Sequence, residues 1–114
     1  GIAPVAGAPE KASVDEVKKK MEYTGNPKHH QNSKGEIGKP PYDGQDLLNQ
    51  SRIAPGEKYR VAIQDNKYVI FREHSPGKWH GYVIDNYDKL QPGERNAFYK
   101  AGLIHSVKSG KIIK

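Results

Sequence analysis

The sequence predicts an α+β fold, with an N-terminal helix or helices, a small antiparallel β-meander and a late helix. Three observations lead to this expectation. Apolar residues near the N-terminus recur at helical spacing, and after the Pro55-Gly56 turn they alternate with polar residues as in a strand. Helical spacing returns after Pro92.

The chain has room for one compact domain. The opening GIAPVAGAPE consists mostly of small residues and proline without periodicity, so residues 1–12 are interpreted as a linker or an excision scar. Residues 13–114 form the predicted domain. A core of this size is shallow, so we expect a substrate site in an open groove on one face.

The first predicted helix covers residues 13–23. Ser13 and Glu16 have the spacing of a capping box, and Gly25 ends the helical pattern. The apolar face of this helix comprises Val14, Val17 and Met21. Residues 26–43 are rich in Gly, Pro, Asn and Lys and predict a long loop, which in a compact domain is either disordered or functional.

Three segments with alternating apolar residues predict one antiparallel sheet. They are residues 58–64, 67–73 and 78–84. Asp65 and Asn66 form a two-residue turn between the first two segments, and the Ser-Pro-Gly sequence at 75–77 leads into the third.

Two further helices flank the predicted sheet. Residues 45–50 predict a short helix that buries two leucines. Pro92 and Gly102 mark the beginning and the end of the late helix. A last strand is expected around Ser109-Gly110.

Charge and composition narrow the function. Lys and Arg number 19 against 13 Asp and Glu, a net charge of +6, which suits a polyanionic partner but also serves solubility alone. The absence of cysteine excludes disulfides and thiolate nucleophiles. No segment approaches the ~18 apolar residues of a membrane span, and no signal-peptide pattern opens the chain, so any export signal is expected upstream.

The titratable residues suit RNA cleavage without a metal. That reaction needs a base for the 2′-hydroxyl, an acid for the leaving 5′-oxygen and cations for the phosphorane, roles that His, Lys, Arg and Tyr can fill. Two places offer this set: the loop around Lys28, His29 and His30, and the strand faces with Arg60 and His80. Neither place has two acidic residues at a spacing that would hold Mg²⁺ or Mn²⁺, so no metal and no cofactor is expected.

The loop histidines have three interpretations. His29 and His30 are solvated surface, half of a zinc site, or a catalytic acid and base. Zinc is disfavoured because adjacent residues seldom both reach one metal and there is no cysteine. Four lysines near the two candidate places are expected to contact RNA phosphates: Lys34, Lys39, Lys58 and Lys78.

On the third strand, His80 and Tyr82 are expected to face the groove and Trp79 to face the helices. His80 stands beside Gly81, whose bare backbone would let a ligand approach. Arg60 on a neighbouring strand would project from the same face and bind phosphate. The alternatives are a structural, half-buried histidine and a solvated arginine. His74 and His105 carry no geometric argument for a role.

A string of motifs resembles the C-terminal toxin domains of contact-dependent growth inhibition and related polymorphic toxins. In order, the motifs are YDGQDLLNQS, KYRVAI, KYVIF, PGKWHGYVIDNYDKL and ERNAFYKAGLI. The resemblance is one of order and spacing and spans roughly residues 26–107. Members of this group look like the barnase/EndoU/colicin/RelE superfamily, in which N-terminal helices precede an antiparallel sheet whose concave face cuts RNA, commonly tRNA, without metal.

The resemblance implies a ribonuclease delivered into the cytoplasm of a neighbouring bacterium as part of a larger secreted or cell-surface protein. It also implies a cognate immunity protein, typically acidic. By position, Lys28 and His29 correspond to a Lys-His pair of the loop, Arg60 to a strand arginine and His80 to the histidine of a His-Gly pair. Tyr82 stands where a second histidine often follows. A host accessory protein in the target cell is a further candidate partner.

Two readings from other classes stay open. In the first, the chain is a non-catalytic RNA- or protein-binding module whose basic loops follow phosphate while tyrosines stack on bases. In the second, it is a metal-dependent DNase toxin, which the lack of carboxylate and histidine clusters disfavours.

Overall fold

The structure is a computed structural model that describes residues 21–24 and 39–114. Four strands form one mixed sheet in the spatial order β1-β4-β3-β2. The strands are β1 (Glu22–Tyr23), β2 (Arg60–Gln64), β3 (Lys67–Ser75) and β4 (Lys78–Ile84). The helices are α1 (Gly44–Gln50) and α2 (Pro92–Lys100), with a 3₁₀ turn at Tyr87–Lys89. The predicted α+β class is confirmed.

Strands β2, β3 and β4 form the predicted antiparallel meander. Asp65 and Asn66 join β2 to β3 with φ of 54° and 61°, the left-handed pair that a two-residue hairpin turn requires. Strand β3 runs through Ser75, two residues beyond its predicted end. The extension contains a β-bulge, because Glu73 pairs with Trp79 while Ser75 pairs with Lys78.

The predicted first helix is wrong at its C-terminal end. Glu22 and Tyr23 form β1, which pairs in parallel with Lys78 and Trp79 of β4. The Glu22 amide donates to the Gly77 carbonyl at 2.7 Å. The apolar spacing favours a helix here, but backbone hydrogen bonds to the open edge of β4 stabilise a strand. Residues 13–20 of that helix, residues 1–12 and residues 26–38 of the expected loop lie outside the described residues.

Both faces of the sheet are buried against a helix. On one face, Val61 and Ile70 pack in a cluster that includes Phe98 of α2. On the other, Phe71 and Trp79 pack with Leu48 of α1. The expectation that the face of His80 and Tyr82 lies opposite the helices is wrong, because α2 packs on that face.

The helices flanking the sheet match their predicted positions. In α1, Leu48 is fully buried. Helix α2 has Pro92 in its first turn and a capping box between Gln91 and Glu94, and Gly102 follows it with a φ of 80°. Among the described residues, no helix is long and apolar enough to cross a membrane.

The expected strand at Ser109-Gly110 is wrong. These residues lie in a turn, and the strand-like contact is a single bridge between Ile104 and Ile112. Gly110 has a φ of 70°, and a Cβ there would overlap the ring of Tyr87. A left-handed residue in such close contact closes a turn and cannot continue a strand.

Gly81→Ala tests the packing between the two inner strands. A Cβ at Gly81 would lie 2.7 Å from Phe71 Cδ1, whose ring is fully buried, so we expect a loss of about 1–3 kcal/mol in the free energy of unfolding. Gly93→Ala is the control, because the added Cβ makes only an ordinary contact of 3.8 Å with Tyr59. Urea unfolding measures both, and equal stability of the two variants would contradict this packing.

Candidate active site

Two imidazoles stack on the α2 side of the sheet. The rings of His74 and His80 have centroids 5.0 Å apart and planes inclined by 26°. His80 lies on β4 and is half-buried, while His74 is the extra residue of the β3 bulge and is exposed. A bulge re-aims the side chain it carries. Here it places the His74 ring against the ring of His80.

Thr24 is hydrogen-bonded to one ring of this pair, that of His74. Its hydroxyl donates to the Trp79 carbonyl at 3.1 Å, and the same Oγ1 lies 3.2 Å from His74 Nε2. A hydroxyl has one proton, so the threonine oxygen accepts from Nε2–H of His74. In neutral His74 the proton-accepting nitrogen is then Nδ1.

Arg72 lies next to the two histidines, on the strand that pairs with the strand of His80. Arg72 and His80 are direct cross-strand partners, so their side chains share a face. The Arg72 guanidinium donates to the Tyr59 hydroxyl at 3.2 Å and lies 5.0 Å from the centre of that ring. We call the surface formed by Tyr59, Arg72, His74 and His80 the imidazole face.

Tyr82 lies on the same side of the sheet, next to the first turn of α2. Its hydroxyl donates to Glu94 Oε2 at 2.7 Å, and Glu94 Oε1 accepts the Gln91 amide at 2.8 Å. Burial, followed by the charge of Glu94, raises the pKa of the Tyr82 hydroxyl. The phenol therefore stays protonated, with its proton directed at a carboxylate that is only 5% exposed.

The expectation that Arg60 shares a face with His80 is wrong. Arg60 is the cross-strand partner of Phe71 and projects to the opposite side, 5.9 Å from the Trp79 ring. Its guanidinium donates to Ser51 Oγ and to the Ser51 carbonyl, both at 2.7 Å. Burial lowers its pKa. Strict alternation along β2 and the pairing register put these two residues on different faces.

The expected approach of a ligand at Gly81 is also wrong. Gly81 faces the α1 side of the sheet and is buried. The space left by its missing side chain is occupied by the Phe71 ring. The glycine therefore serves packing.

The expected RNA-binding lysines lie apart from one another. Lys58 is exposed, with Nζ 5.8 Å from the Tyr59 ring, next to the imidazole face. Lys78 is paired with Glu22 at 2.5 Å. Lys39 is exposed, and its carbonyl accepts the Val83 amide. Four further candidates lie outside the described residues: Lys28, His29, His30 and Lys34.

His74 and Arg72 are the site residues that sequence reasoning missed. In the sequence His74 stands next to the turn after β3, and only the bulge brings it beside His80. Arg72 could have been found from the sequence, because following the strand register correctly across the turns makes it the cross-strand partner of His80. Within residues 21–24 and 39–114, no cluster of three or more His, Cys, Asp and Glu could hold a metal ion.

Comparisons with known proteins found a similar solved structure. No family model and no curated protein matches the chain. A crystal structure of a CDI complex from Cupriavidus taiwanensis LMG 19424 is similar, with a TM-score of 0.49 and 24% sequence identity. The match covers 64% of this chain and 99% of that chain.

Arg60→Ala tests the structural role of this arginine. The substitution removes a half-buried guanidinium together with its two hydrogen bonds to Ser51. It should lower the free energy of unfolding by roughly 2–3 kcal/mol. Arg52→Ala is the matched control, because exposed Arg52 makes one side-chain hydrogen bond to the Ala101 carbonyl and should cost less than about 1 kcal/mol. Thermal and urea unfolding measure both. A stable Arg60→Ala protein would contradict this assignment.

Proposed function

We propose that the protein is a metal-independent endoribonuclease that cuts RNA on the imidazole face. The observation that carries this proposal is the stacked pair of His74 and His80, with Arg72 as the cross-strand neighbour of His80. Two imidazoles and a guanidinium supply a base, an acid and a fixed cation, which are the groups that the reaction needs.

In the proposed reaction, an imidazole takes the proton of the 2′-hydroxyl as that oxygen attacks the adjacent phosphorus. The bond from phosphorus to the 5′-oxygen breaks, and the second imidazole gives its proton to the leaving oxygen. The products are a 2′,3′-cyclic phosphate and a 5′-hydroxyl. His74 is assigned the base, because its hydrogen bond to Thr24 leaves Nδ1 as the acceptor. His80 is assigned the acid.

Arg72 is proposed to bind the reacting phosphate. A guanidinium donates in a planar fork that matches two phosphate oxygens, and its positive charge stabilises the phosphorane. Tyr59 orients this fork through its hydroxyl and its ring. This role was expected of Arg60, whose donors are directed at Ser51.

Tyr82 is assigned a positioning role and not that of an acid. Its proton is directed at Glu94, and its raised pKa keeps the phenol neutral. The Tyr82 ring packs with Tyr59 against the same apolar cluster. The Tyr82–Glu94 hydrogen bond therefore ties the side of the site next to α2 to the helix that covers it.

The biological setting is proposed from the sequence motifs. We infer a toxin domain of contact-dependent growth inhibition that acts on tRNA in the cytoplasm of a neighbouring bacterium after delivery by a larger protein. A cognate immunity protein would protect the producing cell. An acidic protein would suit a chain with a net charge of +6, because it would present the same sign of charge as RNA.

The test is cleavage of total tRNA in excess chelator, with 2′,3′-cyclic phosphate ends as the readout. We expect cleavage by the wild type and a decrease of ~10²- to 10⁴-fold in His74→Ala and His80→Ala. Arg72→Gln should also lose most activity, whereas Arg52→Gln, which removes an arginine outside the imidazole face, should retain it. Urea unfolding establishes that each variant is folded.

Other outcomes point to other functions. Intact tRNA that nevertheless binds the wild type would favour the non-catalytic binding module. Cleavage only after addition of a divalent metal would favour the metal-dependent nuclease. Full activity of both histidine variants would place the chemistry elsewhere on the chain.

A further inference from the structure

A pocket of about 580 Å³ lies at the other end of the sheet from the imidazole face. The pocket is lined by Asn66, Tyr68, His105, Lys111, Ile112 and Lys114. Asn66 belongs to the turn that begins β3, while His74 lies near the end of that strand. At ~3.3 Å per residue, these two positions are on the order of 25 Å apart.

The pocket is built on a firmly held segment. Residues 103–114 fold back on themselves, with the His105 amide donating to the Lys111 carbonyl at 2.8 Å and the Ile113 amide to the Leu103 carbonyl at 3.0 Å. The Tyr68 hydroxyl donates to the Gly110 carbonyl at 2.5 Å, and the Tyr87 hydroxyl donates to the Val107 carbonyl at 2.6 Å. Two largely buried tyrosines thus fix this segment, one to β3 and the other to the 3₁₀ turn.

The chemistry of the lining suits one nucleotide of a polyanion. Residues 103–114 contain three lysines and no acidic residue, and none of the six lining side chains is acidic. Tyr68 and Ile112 give the pocket an apolar part, whereas Lys111 and Lys114 are exposed beside it. An apolar wall with flanking ammonium groups can take a base and its phosphate together.

The pocket and the imidazole face lie on the same side of the sheet. Tyr68 and Ile70 alternate with Val69 along β3, and Ile70 is the cross-strand partner of Tyr82. A polymer on this side would meet both places, whereas a substrate of one or two nucleotides would reach only one. Because the pocket and the imidazole face are far apart, one nucleotide can be bound in the pocket while the RNA is cut at another.

We propose that this pocket binds a nucleotide of the RNA substrate remote from the cut, and so selects long RNAs over short ones. The proposal rests on the proposed ribonuclease function for its substrate. Lys111 and Lys114 bind the phosphate, and Tyr68 and Ile112 contact the base. The pocket contributes to the affinity for RNA and not to the rate of cleavage, because no lining residue lies near His74 or His80.

The test compares Lys111→Gln/Lys114→Gln with the control Lys89→Gln/Lys108→Gln, which removes two lysines that do not line the pocket. The pocket variant should raise KM for tRNA by ~10-fold at unchanged kcat, and should cleave a dinucleotide as the wild type does. The slope of log affinity against log salt should fall by about 0.7, because the two lysines bind one phosphate and each neutralised phosphate contributes ~0.7 to the slope. The control variant should change KM and slope by much less.

Equal effects in the two variants would overturn the proposal in favour of general electrostatic attraction. An unchanged affinity for tRNA together with weaker binding of polyglutamate would assign the pocket to an acidic protein, and also overturns it. A second measurement uses His80→Ala proteins that carry each pair of lysine substitutions and compares their binding of uncleaved tRNA. It tests whether the pocket binds RNA even if the wild type cuts no RNA. A missing cleavage activity then counts against the proposed function only.

Discussion

The pairing of β3 with β4, shifted by one residue at the bulge, is the constraint on which the candidate site depends. From Tyr68 to Glu73 the register is regular, and it makes Arg72 the direct partner of His80. The shift between Glu73 and Ser75 then adds His74 without a cross-strand partner of its own. Because the bulge turns its side chain, the second imidazole stacks on the first. A regular hairpin of the same sequence would not bring these two rings into this arrangement.

The two faces of the sheet differ in the side chains they carry and in how deeply these are buried. On the α1 side, Arg60 is held by Ser51 and Trp79, and Gly81 admits the Phe71 ring. On the α2 side, burial is strong near Tyr82 and weaker toward His74, which is exposed. A chain of 114 residues has little core to spare, so the middle of each face is covered. On the α2 side, one end of the sheet carries the imidazole pair and the other end carries the pocket beside Tyr68.

The sequence predicted elements well and tertiary relations poorly. Alternation and turn residues located the meander, and capping signals located α2, because both are local properties of the chain. Arg60 was expected on the face of His80 and lies on the other face, because the face of a residue depends on the pairing register, which has to be followed across two turns. His74 was missed because a bulge is not visible in the alternation itself. The strand at Glu22–Tyr23 was missed because only the edge of β4 gives it partners.

His74 and His80 are proposed to act together as base and acid, and the pH dependence of kcat/KM for RNA cleavage distinguishes their two roles. A base and an acid that act together give a bell-shaped profile, with one limb that rises with pH and one that falls. With His74 as the base, His74→Gln should remove the limb that rises with pH, and His80→Gln the limb that falls. A profile without these limbs, or one that keeps both limbs in either variant, would show that the two histidines do not act as a base and an acid.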